Sequence, residues 1–263
     1  MTALIHGDSA TMDVLYIRDM IIEVIDKYST MHGINYRLPP PIASTTTRNK
    51  MWNKLIEIHP WHLHPLDILP SSRSVIVFAI PLSLEAINSN IKGEEPSIQW
   101  LKEYILTNKL IEEVDGHLSR ELKSIGYKTI GIKPTHDYDP VNLRSSWSHR
   151  HAGYMAGLGT FGLNNLLITE KGCAVRLGTI LTEAYIEETP KPTIEYCLAK
   201  RGVKCYKCIH RCPINALSDW SKGKYRCQER LNAIALKYKD IVKEFADACG
   251  KCATGIPCAT KIG

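Results

Sequence analysis

The chain has 263 residues, 44% of them hydrophobic and 23% charged, which is ordinary globular material for one large domain, or a medium one with a small partner domain. A formal net charge of +6 suits an acidic protein partner or a phosphate-bearing ligand and is too weak to argue for nucleic acid, which stays an open question. No run of about 18 apolar residues occurs, and Met1 to Asp13 lacks a basic stretch followed by an apolar core, so no spanning helix and no secretory signal are expected and the expected compartment is the cytoplasm.

Met12 to Tyr28 carries Val14, Ile17, Ile21, Ile22 and Ile25 at helical spacing and predicts an amphipathic helix. Leu38-Pro39-Pro40-Pro41 reads as an extended connector. Thr45 to Ile58 predicts a second helix, with the threonine run offering its N-cap. The bracketing prolines of Pro60-Trp61-His62-Leu63-His64-Pro65 predict a loop, whose histidines are polar surface or ligand contacts. Ser74 to Ile80 is a continuous β-rich apolar run bounded by Pro81 and predicts a buried central strand. Ser97 to Gly126 predicts one long helix or two shorter ones, and Lys128 to Lys133 a further strand. Leu166 to Thr169 and Val175 to Thr182 are strand candidates that predict a hairpin. Strands alternating with helices indicate an α/β or α+β domain. Thr189-Pro190-Lys191-Pro192 reads as a linker, so the expected division is 1–190 and 191–263.

Eight of the nine cysteines lie beyond that linker. Cytoplasmic thiols stay reduced, so clustered cysteines there more often bind metal than pair. Cys205-x2-Cys208-x3-Cys212-Pro213 matches the last three cysteines and the proline of the two-cluster ferredoxin run, in which the final cysteine serves the other cluster. The first cysteine of that run would fall at Gly202, and Cys197 is the available substitute. The expected sets are Cys197, Cys205, Cys208 and Cys258 for one 4Fe-4S cluster, and Cys212, Cys227, Cys249 and Cys252 for a second. Pro213 to Leu217 predicts a short helix after the run. Two four-cysteine zinc sites would use the same number of thiolates, and disulfides are the other alternative; the Cys-x3-Cys-Pro ending, which zinc ribbons do not need, favours iron–sulfur. Cys173 is the spare, expected as a buried, inert thiol.

Gly157, Gly159 and Gly162 spell G-x-G-x-x-G, but a helical segment precedes them and a strand follows. The dinucleotide fingerprint has the reverse order. Glycines here more naturally let backbone approach a large flat ligand.

Ala156-Gly157-Leu158-Gly159-x-x-Gly162-x-Asn164, followed some 40 residues later by the cysteine frame, resembles epoxyqueuosine reductase and its relatives, a family similar in turn to the reductive dehalogenases. The resemblance covers residues 140 to 263 well and the N-terminal half in outline. It implies an α+β protein: an N-terminal α/β domain of nitroreductase or corrinoid-reductase type that binds cobalamin, and a C-terminal ferredoxin-like domain with two clusters. Electrons would enter from a flavodoxin or ferredoxin and reach cobalt, for a small-molecule or nucleoside-like substrate. Arg150, Gly157, Leu158, Gly159, Thr160, Gly162, Asn164 and Asn165 would contact the cofactor. The queuosine enzymes carry an Asp-Thr-Gly-Pro segment whose aspartate is the general acid; here that position falls near Leu143 or Arg144, which have no acid proton to give. The chain also stops short of the extra C-terminal helical domain that many of them carry. A divergent reductase is therefore the expectation. The acid candidates are His149, His151 and Tyr154, with Asp137 or Asp139 behind them. An electron carrier or reductive activator for a partner protein, without substrate chemistry of its own, is the alternative.

Overall fold

The computed structural model describes residues 11–133 and 138–263. In chain order its main elements are α1 (Val14–His32), β1 (Ile42–Thr46), α2 (Met51–Ile58), β2 (Ser74–Pro81), α3 (Ile98–Ser124), β3 (Thr129–Ile132), α4 (His149–Ala156), β4 (Val175–Thr182) and α5 (Trp220–Val242). The four strands make one antiparallel sheet in the order β1-β2-β4-β3. Helices cover both faces, which makes the chain a mixed α/β protein.

The sheet is organised around β2, all eight residues of which are buried. Successive side chains point to opposite faces. Ile76, Phe78 and Ile80 join Ile180 of β4 against α1 and α3. Val75, Val77 and Ala79 join Leu181 against Trp52 of α2 and Ala152, Met155 and Ala156 of α4. A strand covered on both faces needs a continuous apolar run, and Ser74 to Ile80 supplies one.

The long helices have their ends written into the sequence. Asp13 caps α1 by accepting from the Leu15 N–H at 2.8 Å, and Gly33 closes it at φ 64°. Ser97 caps α3 by accepting from the Trp100 N–H. The buried stripe of α3 runs from Leu101 through Leu110 and Val114 to Leu122. No helix among the described residues is long and apolar enough to cross a membrane.

Three expectations are corrected. The threonine run does not cap a helix: Ile42–Thr46 is β1, paired with β2, and α2 starts only at Met51. β-Branched threonines favour the pleated strand, and Glu188 accepts the Thr45 hydroxyl there. The expected hairpin does not form either. Leu167–Ile168 pairs with Thr160–Phe161, while β4 pairs with β2 and β3. After Pro213 the chain makes turns in place of a helix, with Asn215 at φ 50°.

Segments distant in sequence are stitched together by Arg37. Its guanidinium donates to the carbonyls of Leu82, Lys171, Ala174 and Thr260. The N–H groups of Cys173 and Ala174 bond to the carbonyls of Cys258 and Ala259 at 2.9 and 3.0 Å. Ala246, Ala253, Ile256 and Ala259 share the core of α1 and α3.

Candidate functional site

The glycine stretch begins in α4. Ser148 caps this helix, and Gly157 ends it in the left-handed conformation at φ 86°. The chain then runs as Thr160–Phe161, turns through Gly162–Asn165, and returns as Leu167–Ile168. Each glycine is required by the chain's own packing. A Cβ at Gly157 would meet the Pro190 carbonyl oxygen, one at Gly159 the Ile168 carbonyl, and one at Gly162 the Asn164 side chain.

The other candidates in this stretch fall into two groups. Leu158 is buried against α4 and β2. Thr160 Oγ1 accepts from the Tyr196 N–H at 2.8 Å, one residue before Cys197. Asn164 Nδ2 donates to the Cys252 carbonyl at 2.9 Å and lies 3.6 Å from Cys173 Sγ. Thr160 and Asn164 thus tie the glycine stretch to the cysteines. Arg150 turns the other way along the loop, and its Nη1 donates to the Asn165 carbonyl. No carboxylate among the described residues pairs with Arg150.

The acid candidates differ sharply in what surrounds them. His149 has both ring nitrogens engaged, Nδ1 with Thr179 Oγ1 at 2.8 Å and Nε2 with the Lys133 carbonyl at 3.3 Å, and burial pushes its pKa down to about 4. His151 Nδ1 meets Ser148 Oγ at 2.7 Å, and its ring packs on Phe161 and His59. Burial, with the nearby Arg150 charge second, brings its pKa to about 4 as well. Tyr154 stacks on the same Phe161 and is 37% exposed, so its hydroxyl is within reach of solvent or a ligand. Asp139 is held ionised by the side-chain amide and backbone N–H of Asn142 and by the Val141 N–H, which does not suit a proton donor. His136 and Asp137 lie outside the described residues.

The Pro60–Pro65 loop packs beside α4. His62 is 5% exposed and accepts from the Ser148 N–H at 3.0 Å, so it anchors α4 and is not a free ligand. Trp61 lies under the Arg144 guanidinium at 4.0 Å. With Tyr138, Asp139, Ser145 and Ser146 they line an open cavity of about 310 Å³. Sequence reasoning passed over this pairing because Trp61 and Arg144 are remote in the chain.

Four of the cysteines face one space. Cys197, Cys205, Cys208 and Cys258 line one cavity, together with Gly162, Leu163 and Asn164 of the glycine stretch and Ile256 and Pro257. Cys227 and Cys252 both lie near Cys212 and Cys249, and Cys252 also lies near Cys208 of the first set. Local structure aims them. Cys208 sits in the single turn Lys207–His210, Cys227 on α5, and Cys249 and Cys252 flank Gly250 at φ 67°. Burial first and neighbouring thiols second push Cys208 and Cys227 up to about 11, and Cys252 further up. Such a site favours thiolates only when a cationic group lies among them.

None of the nine cysteines is in a disulfide. Among the described residues, no three His, Cys, Asp or Glu side chains stand close enough to hold a single metal ion. Ligands of one zinc would sit about 3.8 Å apart, given a zinc–sulfur bond of about 2.3 Å. Four thiols facing one space are the donor set that a four-iron cubane uses. A corrin fits less well: the glycines meet the chain's own atoms, and the 310 Å³ cavity is at the low end for any ligand site.

Cys173 is buried as expected, but it is not isolated. Its thiol lies beside Cys258 and near Cys252. Arg230, whose Nε points at Cys249 Sγ from 3.3 Å, was also missed. A helix-surface arginine gives no sign in the sequence of where its side chain ends.

This mixed α/β fold, an antiparallel sheet with helices on both faces, resembles that of the epoxyqueuosine reductases. Particular solved structures make the likeness explicit. The epoxyqueuosine reductase from Streptococcus thermophilus matches with a TM-score of 0.52 at 16% identity, over 90% of this chain and 65% of that one. The epoxyqueuosine reductase from Bacillus subtilis matches with a TM-score of 0.51 at 16% identity, over 92% and 66%. An epoxyqueuosine reductase bound to a tRNA stem loop matches with a TM-score of 0.51 at 18% identity, over 92% and 66%. The chain therefore spans just under two thirds of those proteins' length, and at such identities the likeness is one of fold. No protein-family model and no curated protein sequence matches the chain.

Proposed function

We propose that this protein is an iron–sulfur oxidoreductase of epoxyqueuosine reductase architecture. In this reading residues 191–263 form the ferredoxin-like part and hold two 4Fe-4S clusters, and residues 1–190 carry the reducing site; the cobalamin that the resemblance implies would bind there only if the 310 Å³ cavity widens to take it. The observation that carries the proposal is the cavity where four cysteines face Gly162, Leu163 and Asn164. One stretch, residues 149–164, thereby walls a cluster site at one end and presents His151 and Tyr154 at the other.

Bound clusters supply one-electron transfer at low potential. The chain's own residues do the rest. Leu163, Ile256 and Pro257 screen the thiols of the first cavity from water. Burial keeps the His151 ring neutral at pH 7, so it offers a ligand a hydrogen bond and not a proton, and the exposed Tyr154 hydroxyl is the group placed to donate one. Trp61 and Arg144 give the open cavity an aromatic plate and a cation, which suit a small planar or nucleoside-like substrate. Residues 196–263 hold 14 Lys and Arg against 5 Asp and Glu, whereas residues 1–195 hold 19 against 22. That imbalance supports an acidic electron donor of the flavodoxin or ferredoxin kind docking on the cysteine-rich end.

Anaerobic purification with iron, sulfide and corrin-binding analysis tests the proposal. About eight irons per chain and saturable corrin binding are expected. Four irons or fewer with no corrin affinity would reject it. The small cavity and the ionised Asp139 favour a second reading, an electron carrier or reductive activator. Eight irons without corrin binding would select that one.

A further inference from the structure

We propose that Cys212, Cys227, Cys249 and Cys252 hold the more easily reduced of the two clusters, and that Arg230 sets this order. The inference rests on the two-cluster reading above and deepens it.

The two groups of thiols have different surroundings. Arg230 Nε donates to Cys249 Sγ at 3.3 Å, and the Ala216 N–H donates to Cys212 Sγ at 3.2 Å. Lys251, adjacent to Cys252, is only 2% exposed, and its ammonium is held by the carbonyls of Asn90 and Lys92. Arg211, adjacent to Cys212, donates to the Lys251 carbonyl and lies over the same loop. Against these three cations stands Glu95, whose carboxylate is 3.7 Å from Arg230 and is shared with Lys237.

At the other group the donors are neutral. Cys258 has the neutral Cys173 thiol beside it, and Lys207, the one cation lining the cavity, is an exposed side chain. Hydrogen bonds from charged donors are roughly twice as strong as neutral ones. Donors and positive charge near cluster sulfur stabilise the reduced, more negative state and raise the potential. The step itself is the gain of one electron from a one-electron reductant, with no bond made or broken. The consequence is an electron store at the Cys212, Cys227, Cys249 and Cys252 group. It fills first and releases to the Cys197 group only when that group is drained.

The test is an anaerobic redox titration of the intact protein with dithionite and mediators, read by electron paramagnetic resonance. Wild type should show two midpoints. Arg230→Gln should lower the higher one by about 59 mV, a tenfold change in the one-electron equilibrium, and leave the lower one in place. Arg230→Lys should restore part of the shift. Glu95→Gln, an exposed substitution that removes the opposing charge, should move the same midpoint upward and serves if Arg230→Gln does not fold. Cys249→Ser should perturb the higher wave and so assign it. Unchanged midpoints in Arg230→Gln or Glu95→Gln chains holding eight irons would overturn the inference alone. So would a Cys249→Ser effect on the lower wave. A chain that takes up no iron would overturn the two-cluster reading and this inference with it.

Discussion

Asp115 offers a direct test of how the long helix packs. It lies on α3, is 8% exposed, and its Oδ1 has no hydrogen-bond partner among the described residues. A Cβ at Gly131 of β3 would collide with its carboxyl group, so the side chain is pressed against the edge strand. Burial, with the Glu112 charge second, raises its pKa from 3.8 to about 8. The folded state therefore holds a proton that the unfolded state releases above about pH 4. Folding stability then falls as pH rises from about 4 to about 8, by at most about 1.4 kcal/mol per pH unit from this group. Between pH 5 and 7.5 the loss is on the order of 3 kcal/mol. Asp115→Asn removes the titration and keeps the shape. Urea unfolding of both proteins in parallel reads the difference, and titrations common to both cancel. The variant should match wild type within about 1 kcal/mol at pH 5 and exceed it increasingly up to pH 8. Parallel stability curves across that range would show that the carboxyl is ionised in the fold, and the burial argument would fail.

Cys205→Ser or Cys227→Ser should reduce bound iron from about eight to about four, while Cys173→Ser should leave it unchanged, as measured by iron analysis after anaerobic purification. Gly250→Ala forces a side chain into a left-handed backbone at φ 67° and into the Trp100 ring, and should lower stability by about 1–3 kcal/mol in a thermal melt. The pKa of His149 is lowered in the fold to about 4 from an unfolded value near 6.5, so its contribution is present above pH 6.5 and is lost as pH falls through 4. His149→Gln should flatten that acid limb, and His149→Ala should cost about 1–3 kcal/mol at pH 7 by stranding Thr179 and the Lys133 carbonyl. A melt that is indifferent to pH in wild type would count against the burial of this ring.

The parts legible in the sequence are those governed by short-range rules. β2 announced itself because a doubly covered strand must be apolar throughout, and α3 because Ser97 and the 3.6-residue stripe mark it. The shared cavity of Cys205 and Cys208 followed from spacing, since the two lie within four residues of each other. What failed was pairing. Leu167 and Ile168 are as strand-like as Val175 to Thr182, and only tertiary packing decides that the first joins Thr160 and the second joins β2. Thr45 and Thr46 suit either a cap or a strand, and the partner strand decided it. The contacts of Cys173, Arg230 and the Trp61–Arg144 pair all span large sequence separations, so no local pattern encodes them.

The Arg37 clasp bears on how the molecule can be taken apart. Cys258 owes its position to the Arg37 guanidinium and to the backbone of residues 171–174 as much as to its own neighbours. A ferredoxin is ordinarily a portable battery, excised and grafted at will. Here the cysteine-rich end is wired into its housing: a fragment starting at residue 191 would lose the mould that holds Cys258.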